Sequence, residues 1–339
     1  MDSNLPATPT VVAVERRVKK KWSTPHRDWV VFLVLIAVTW TVPLALGGFQ
    51  LYLGTVIAIY AIATLGLQVM VGLAGQLSLG HAAFVGLGAY TTVLIEKNAS
   101  WSFFSAALVG TLVSAVVGLL MAQLVRLSGV YFKIATFGFG IIVYQLIANT
   151  AWLTGGHVGL RGIPPIELFG YSLTSREALF VLSMLALTVV YALMLRMCSG
   201  RVGRALLAIG QDEDAARSIG IKTELYRMAV ISIGCALAGL AGSFLPHLLR
   251  FVSPESFGWY ESLILLIMIA VGGLGSLPGA IVGAAIMIVI PEYLRGMGEY
   301  KMLVYGVLLV MCIMFMPSGI AGVTNSLFAR LTRSGSSAK

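Results

Sequence analysis

Charged side chains are scarce in this sequence: they make up 11% of its 339 residues, whereas 58% are hydrophobic. A water-soluble domain carries about 25% charged and roughly 45 to 50% apolar residues, so a soluble fold is excluded and an integral membrane protein is implied. Cysteine is equally sparse. Cys198, Cys235 and Cys312 are odd in number and widely spaced, with no CxxC or zinc pattern, which leaves them as small apolar packing residues and gives no metal site. Several chemical motifs are missing too. There is no GxxxxGK[ST], no HExxH, no GxSxG and no carboxylate pair in mid-span, so the chain has no P-loop ATPase of its own and no catalytic constellation for an intramembrane enzyme.

What is present is apolar sequence in long runs, with 38 glycines that let helices approach closely. The first 28 residues are polar and carry Arg16, Arg17, Lys19, Lys20, Lys21 and Arg27. No small-residue cleavage site follows, so this segment reads as a basic tail before an uncleaved first span. A span needs roughly 20 apolar residues. By that ruler Trp29 to Ile95 holds three spans, with turns at Gly47-Gly48 and at Gly72 to Gly80, because glycine punctuates apolar runs. Single spans follow in Asn98 to Val125, Ile134 to Leu160, Ala178 to Leu195, Met228 to Leu249 and Met302 to Ala329. The run Ser262 to Pro291 is interrupted by Gly272-Gly-Leu-Gly-Ser-Leu-Pro-Gly279; it is either two short spans or a re-entrant hairpin. Trp29, Trp101, Trp152 and Trp259 fall near span ends, where tryptophan prefers the interface.

The expected fold is an all-α polytopic membrane protein of eight to ten transmembrane helices with both termini cytoplasmic. Its parts are a basic tail over 1–28, a transmembrane domain over 29–325 and a C-terminal tail over 326–339. Counting ten crossings places 17 lysines and arginines inside and six outside, namely Lys97, Arg161, Arg176, Arg250, Arg295 and Lys301. The net charge of +9 therefore sits at span ends and tails and does not form a nucleic-acid footprint.

Four stretches carry polar groups in unusual places. Gly72 to His81 sets Gln76, Ser78, Gly80 and His81 between two spans, in backbone too glycine-rich for a regular helix. It is either a tight turn or the lining of a cavity, since irregular backbone at membrane depth needs protein or water around it. Thr136, Gln145 and Asn149 are polar positions in an apolar span, and they serve interhelical hydrogen bonds or contact a solute. Gly275, Gly279 and Gly283 recur every four residues, a close-packing pattern beside Gly272 and Gly273, to which a pore role would be an addition. Leu153 to Pro165 is a glycine-rich loop, expected outside, without the Lys-Ser/Thr ending of a phosphate cradle.

The longest charged island, Arg196 to Arg227, holds six basic residues. From Arg204 to Ile219 it is made of good helix formers, with Gly203 before and Gly220 after as a natural C-cap. Leu206, Ile209, Ala216 and Ile219 are expected to form an apolar stripe beside Asp212, Glu213 and Arg217. Such a helix suits a groove in a partner, or else lies on the membrane surface as a solvated connector. Since the span centres lack ionisable residues, any uphill movement of a solute needs an energy source outside the membrane.

With these stretches together, a family resemblance is specific. Asp214-Ala215-Ala216 followed by Gly220 resembles the coupling loop of ABC importer permeases. Gly72 to His81, Tyr131 to Gly140, Thr154 to Pro164, Ser253 to Gly258 and Gly272 to Gly283 resemble the branched-chain amino-acid permease family, over about residues 30 to 320. The resemblance implies a bacterial inner-membrane permease subunit that works by alternating access. Its implied partners are a homologous second permease, two cytoplasmic ATPases that use ATP and Mg, and a periplasmic substrate-binding protein. No cofactor is implied for this chain itself. It further implies that Arg201, Gly203, Arg204, Glu213, Ala215, Ala216 and Gly220, with Asp212 and Asp214 among them, contact the ATPase. Gln76, Ser78, Gly80 and His81 would line the translocation path, joined by Thr136, Gln145, Asn149, Gly272 and Gly273. Two positions depart from the family pattern after Phe139-Gly140: Ile141 and Tyr144 stand where many members carry a glutamate and then a basic residue. Asp214 likewise replaces an apolar residue. The first departure leaves urea or a short-chain amide as an alternative solute, and an ATP-independent channel or carrier is the alternative of a different class.

Overall fold

The structure, a computed structural model, describes residues 25–45, 47–126, 130–168, 171–294, 300, 306–307 and 319–320. The basic tail up to residue 24, all but four residues of the expected last span and the C-terminal tail lie outside the described residues. Helices α1 (Pro25–Ala45), α2 (Gly48–Ala74), α3 (His81–Ala99), α4 (Phe103–Ala122) and α5 (Val130–Asn149) come first. A short α6 (Ala151–Thr154) leads into a loop region, after which α7 (Arg176–Ser199), α8 (Arg201–Gln211), α9 (Glu213–Ser218), α10 (Thr223–Leu249), α11 (Trp259–Gly272) and α12 (Leu277–Tyr293) follow. Among the described residues, α2, α4, α5, α7, α10 and the stretch Pro254–Gly272 are long and apolar enough to cross a membrane. Segments of α1 and α12 form shorter apolar helices.

One amendment to the all-helical expectation concerns the loops. Four strands of two or three residues form there: β1 (Leu160–Arg161), β2 (Ile166–Leu168), β3 (Tyr171–Leu173) and β4 (Phe251–Val252). β2 and β3 make a hairpin, while β1 pairs antiparallel with β4, joining Leu160 to Val252 and Arg161 to Phe251. Arg250 Nη1 donates to the Ile163 carbonyl at 3.2 Å, and Lys97 Nζ to the Arg161 carbonyl at 2.7 Å. The glycine-rich loop is thereby stitched to the link between α10 and α11.

The core is organised around α10. Its glycines let neighbours approach to backbone contact: Gly234 faces Met70 and Gly66 of α2, Gly239 faces Gly88 of α3 and Ser114 of α4, and Gly242 faces Val85 of α3. Burial of small residues rather than of large ones makes this packing possible in lipid, where there is no hydrophobic drive between helices. The contacts Gly88 with Gly239, Thr92 with Ser243 and Glu96 with His247 keep a constant offset, so α3 and α10 run parallel.

Two breaks interrupt the helical bundle. The first is residues 75–80. His81, at the start of α3, lies with Nε2 3.3 Å from the carbonyl of Ala63, eleven residues before the end of α2. At 1.5 Å per residue α3 begins about 16 Å back along α2. The chain therefore does not turn tightly at the end of α2; it climbs back to mid-helix before α3 starts. The second break, 273–276, separates α11 from α12, which pack on each other as a hairpin through Gly272 against Gly279 and Gly283 against Met268. With 14 residues, α11 is about 21 Å long, shorter than the roughly 30 Å hydrocarbon core.

Candidate functional site

At one end of the bundle α8 and α9 form a bent unit, not the single helix expected over 204–219. Asp212 leaves helical geometry at φ −155°, ψ 110°, and its Oδ1 accepts from Ala215 N at 3.0 Å. An aspartate in that role starts a new helix. Downstream, Gly220 takes φ 85°, where only glycine is unstrained, and Ile221 N returns to the Ala216 carbonyl at 3.1 Å. The expected stripe is only partly formed. Leu206, Ile209 and Ala216 are buried, but Ile219 is 74% exposed. The buried stripe of α8 faces this chain's own helices, as Gly210 packing on the Leu73 carbonyl of α2 shows. What remains open to a partner is Arg201, Arg204, Asp212, Asp214, Ala215, Arg217 and Ile219, all exposed, while Gly203 is buried against Cys198.

Glu213 joins this unit to the core. Its Oε1 accepts from Arg217 Nη2 and Thr223 Oγ1, both at 3.2 Å, and its Oε2 pairs with Arg227 Nη1 at 2.5 Å. Thr223 and Arg227 are on the first turns of α10, and the Arg227 side chain is 15% exposed. A charge-assisted bond in so sheltered a place is stronger than a surface pair.

At mid-depth the break at 75–80 is held by side chains from other helices. Thr136 Oγ1 of α5 accepts from Leu79 N at 3.1 Å, and Ser262 Oγ of α11 accepts from Ala82 N at 3.0 Å. Gly80 sits so close to Thr136 that a Cβ would overlap its carbonyl. Ser78 Oγ and His81 Nδ1 are buried with no hydrogen-bond partner among the described residues, and Gln76 is half-buried at the α2 end. Irregular backbone at this depth is allowed because protein surrounds it.

Of the three polar positions singled out in α5, only Thr136 bonds to another element among the described residues. Gln145 and Asn149 are exposed and bond to each other, Asn149 Nδ2 donating to Gln145 Oε1 at 3.1 Å. Gly272 is buried in the α11–α12 contact, Gly273 takes φ 111°, and Gln68 Nε2 of α2 donates to the Gly273 and Ser276 carbonyls at 3.1 and 3.2 Å. The three-glycine stripe needs a correction: Gly275 is in the break, before α12 starts, so only Gly279 and Gly283 share a helix face.

Sequence reasoning missed two acidic groups. Glu96 is buried in the last turn of α3 with Oε2 2.8 Å from His247 Nε2, while His247 Nδ1 donates to the Ser243 carbonyl at 3.0 Å. Glu261, on the first turn of α11, lines a narrow cavity with Ile59, Tyr60, Ala82, Leu245 and Phe257. Charge-free runs used as a ruler stop at such residues, so they were placed at span edges instead of inside the packing.

Known proteins are similar to this chain over most of its length. The family described as branched-chain amino acid transport system, permease component, matches residues 50–313. The high-affinity branched-chain amino acid transport system permease protein LivM of Salmonella typhimurium (strain LT2) is 34% identical over 316 residues, covering 86% of this chain and 74% of the relative. LivM of Escherichia coli K12 is 33% identical, with 87% and 75% covered. LivH of Salmonella typhimurium is 25% identical over 298 residues, with 78% and 91% covered. No solved structure matches the chain.

Proposed function

The chain belongs to the family of branched-chain amino acid transport permease components, and from that membership we propose that it is a membrane-spanning subunit of an ATP-driven importer for branched-chain or related aliphatic amino acids. In this reading the α9 end faces the cytoplasm of a bacterial cell, and the loops around β1 and β4 face the periplasm. A homologous permease completes the path, two ATPase subunits bind ATP and magnesium, and a periplasmic binding protein delivers the solute.

The observation that carries the reading is the Glu213 junction. α9 offers a small exposed surface to a partner, and Glu213 fastens that surface to the foot of α10. Because α10 packs backbone-to-backbone on α2, α3 and α4, a push on α9 is passed to those helices as a body. α3 starts in mid-bundle against α5 and α11, so moving it with α10 shifts the Leu79–Thr136 and Ala82–Ser262 contacts. Alternating access then consists in remaking these few hydrogen bonds while the glycine contacts persist.

The test is co-expression with the neighbouring permease, ATPase and binding-protein genes, followed by co-purification and leucine uptake. The wild-type chain brings down the ATPases and imports leucine only with ATP. Glu213→Gln keeps the ATPases bound but lowers uptake by about tenfold, the scale of one lost charge-assisted bond. Undiminished uptake in that variant, absence of ATPase from the wild-type complex, or uptake without ATP overturns the proposal.

A further inference from the structure

A cleft of about 380 Å³ opens between α5 and the start of α11, within the size range of small-molecule sites. Its walls include Ile141, Tyr144 and Gln145 from α5, with Glu255, Trp259 and Tyr260 opposite. The chemistry of these walls is one-sided. Three aromatic rings and one carboxylate line the cleft, and no lysine, arginine or histidine does among the described residues. Ring faces attract an ammonium group, more strongly where water is excluded. Glu255 has no hydrogen-bond or ion-pair partner among the described residues, so its carboxylate is available. Trp259 and Tyr260 stand edge to face at 6.2 Å, and Tyr144 is braced by His157 at 6.5 Å. Gln145 spends its carbonyl oxygen on Asn149, which leaves its NH2 to donate to an acceptor in the cleft. Ile141 supplies an apolar wall.

Location adds to the argument. Ile141 follows Gly140, which packs on Gly80, and Ser262, which holds Ala82, is two residues beyond Tyr260. The cleft therefore borders the mid-depth break. Among the described residues that line the cleft, Glu255 is the one ionisable acid or base other than tyrosine.

We propose that this cleft is a binding site for a zwitterionic amino acid with an aliphatic side chain, its ammonium group held by Glu255 and the aromatic faces and its carboxylate by the Gln145 amide. The site deepens the transport reading above and rests on it: a neutral solute such as urea has neither the cation nor the aliphatic body that these walls accept.

Binding is measured on the full complex in nanodiscs by equilibrium dialysis of radiolabelled L-leucine, with the binding protein left out. Isopentylamine, which keeps the ammonium, competes; 4-methylpentanoate, which lacks it, and urea do not. Glu255→Gln weakens leucine binding by about tenfold, as expected for one charge-assisted contact. Ile141→Glu with Tyr144→Arg, which puts charge on the apolar wall and removes one ring, weakens it by a similar factor. Leucine binding unchanged in Glu255→Gln, competition by 4-methylpentanoate equal to that by leucine, or no binding in a wild-type complex that imports leucine each overturns the site and leaves the transport reading standing. A complex that imports no leucine at all overturns the transport reading itself.

Discussion

The breaks at 75–80 and 273–276 both carry non-helical backbone within the bundle, yet they are secured in different ways. At 273–276 the flanking helices are neighbours in sequence and meet through glycines, Gly272 on Gly279 and Gly283 on Met268, while Gly72 makes room for Gly275. The Gln68 side chain donates to the Gly273 and Ser276 carbonyls, the second of which also accepts from Ala280 N. At 75–80 a glycine contact, Gly80 on the Thr136 carbonyl, is joined by hydrogen bonds from helices far along the chain, Thr136 to Leu79 N and Ser262 to Ala82 N at the start of α3. The repeated steric contacts of the hairpin are all or nothing; at 75–80 Gly80 makes the close approach, and the hydrogen bonds beside it can be exchanged for alternatives. The hairpin is thus a fixed part, and the start of α3 is the adjustable one.

Substitutions can break or sharpen this contrast. The largest effect is expected from Gly272→Leu, whose side chain overlaps the Gly279 backbone. Overpacking a filled interior costs about 1 to 3 kcal/mol or more, and here the neighbour is main chain that cannot rotate away. Detergent-solubilised protein should show little monodisperse material by size-exclusion chromatography. Next comes Gln68→Leu, which takes the Gln68 amide from the Gly273 carbonyl while the Ser276 carbonyl keeps Ala280 N, at a cost of about 1 to 3 kcal/mol; a lowered melting temperature with retained expression is the expected reading. The smallest loss belongs to Thr136→Val combined with Ser262→Ala. Interhelical hydrogen bonds in membranes average about 0.6 kcal/mol, so the melting temperature should fall slightly while the rate of leucine uptake changes several-fold. If that double variant unfolds as readily as Gly272→Leu, the two breaks are equivalent and the distinction fails.

The ends of helices were legible wherever glycine marks them, as at Gly47, at Gly72 to Gly80 and at Gly272 to Gly279. What could not be read was depth. The return of 75–80 to the middle of α2 depends on Thr136, 57 residues away, and on Ser262, 180 residues away; no local pattern encodes either. Glu96 and His247 are likewise 151 residues apart. The bend at Asp212 was different, because its signal was present: an aspartate followed by Glu213 and Asp214 is a helix start, overridden by the helix-forming run around it. The strands escaped notice because two or three residues are too few for an alternating pattern. At the candidate site, the exposed positions around Asp214 were legible from charge alone, whereas Glu255, Trp259 and Tyr260 join Ile141 and Tyr144 only once α5 and α11 are packed together.

The pairing of β1 with β4 is only two residues wide, but it closes a mechanical loop. With Arg250 and Lys97 also bound to the 161–163 backbone, the segments after α5, before α11 and at the end of α3 are clamped to one another. That end of the molecule has lost most of its degrees of freedom, much as a hinge pin constrains the plates it joins. In the proposed transport cycle, a displacement introduced at α9 would meet this clamp at the far end, which would leave the start of α3 as the place to yield.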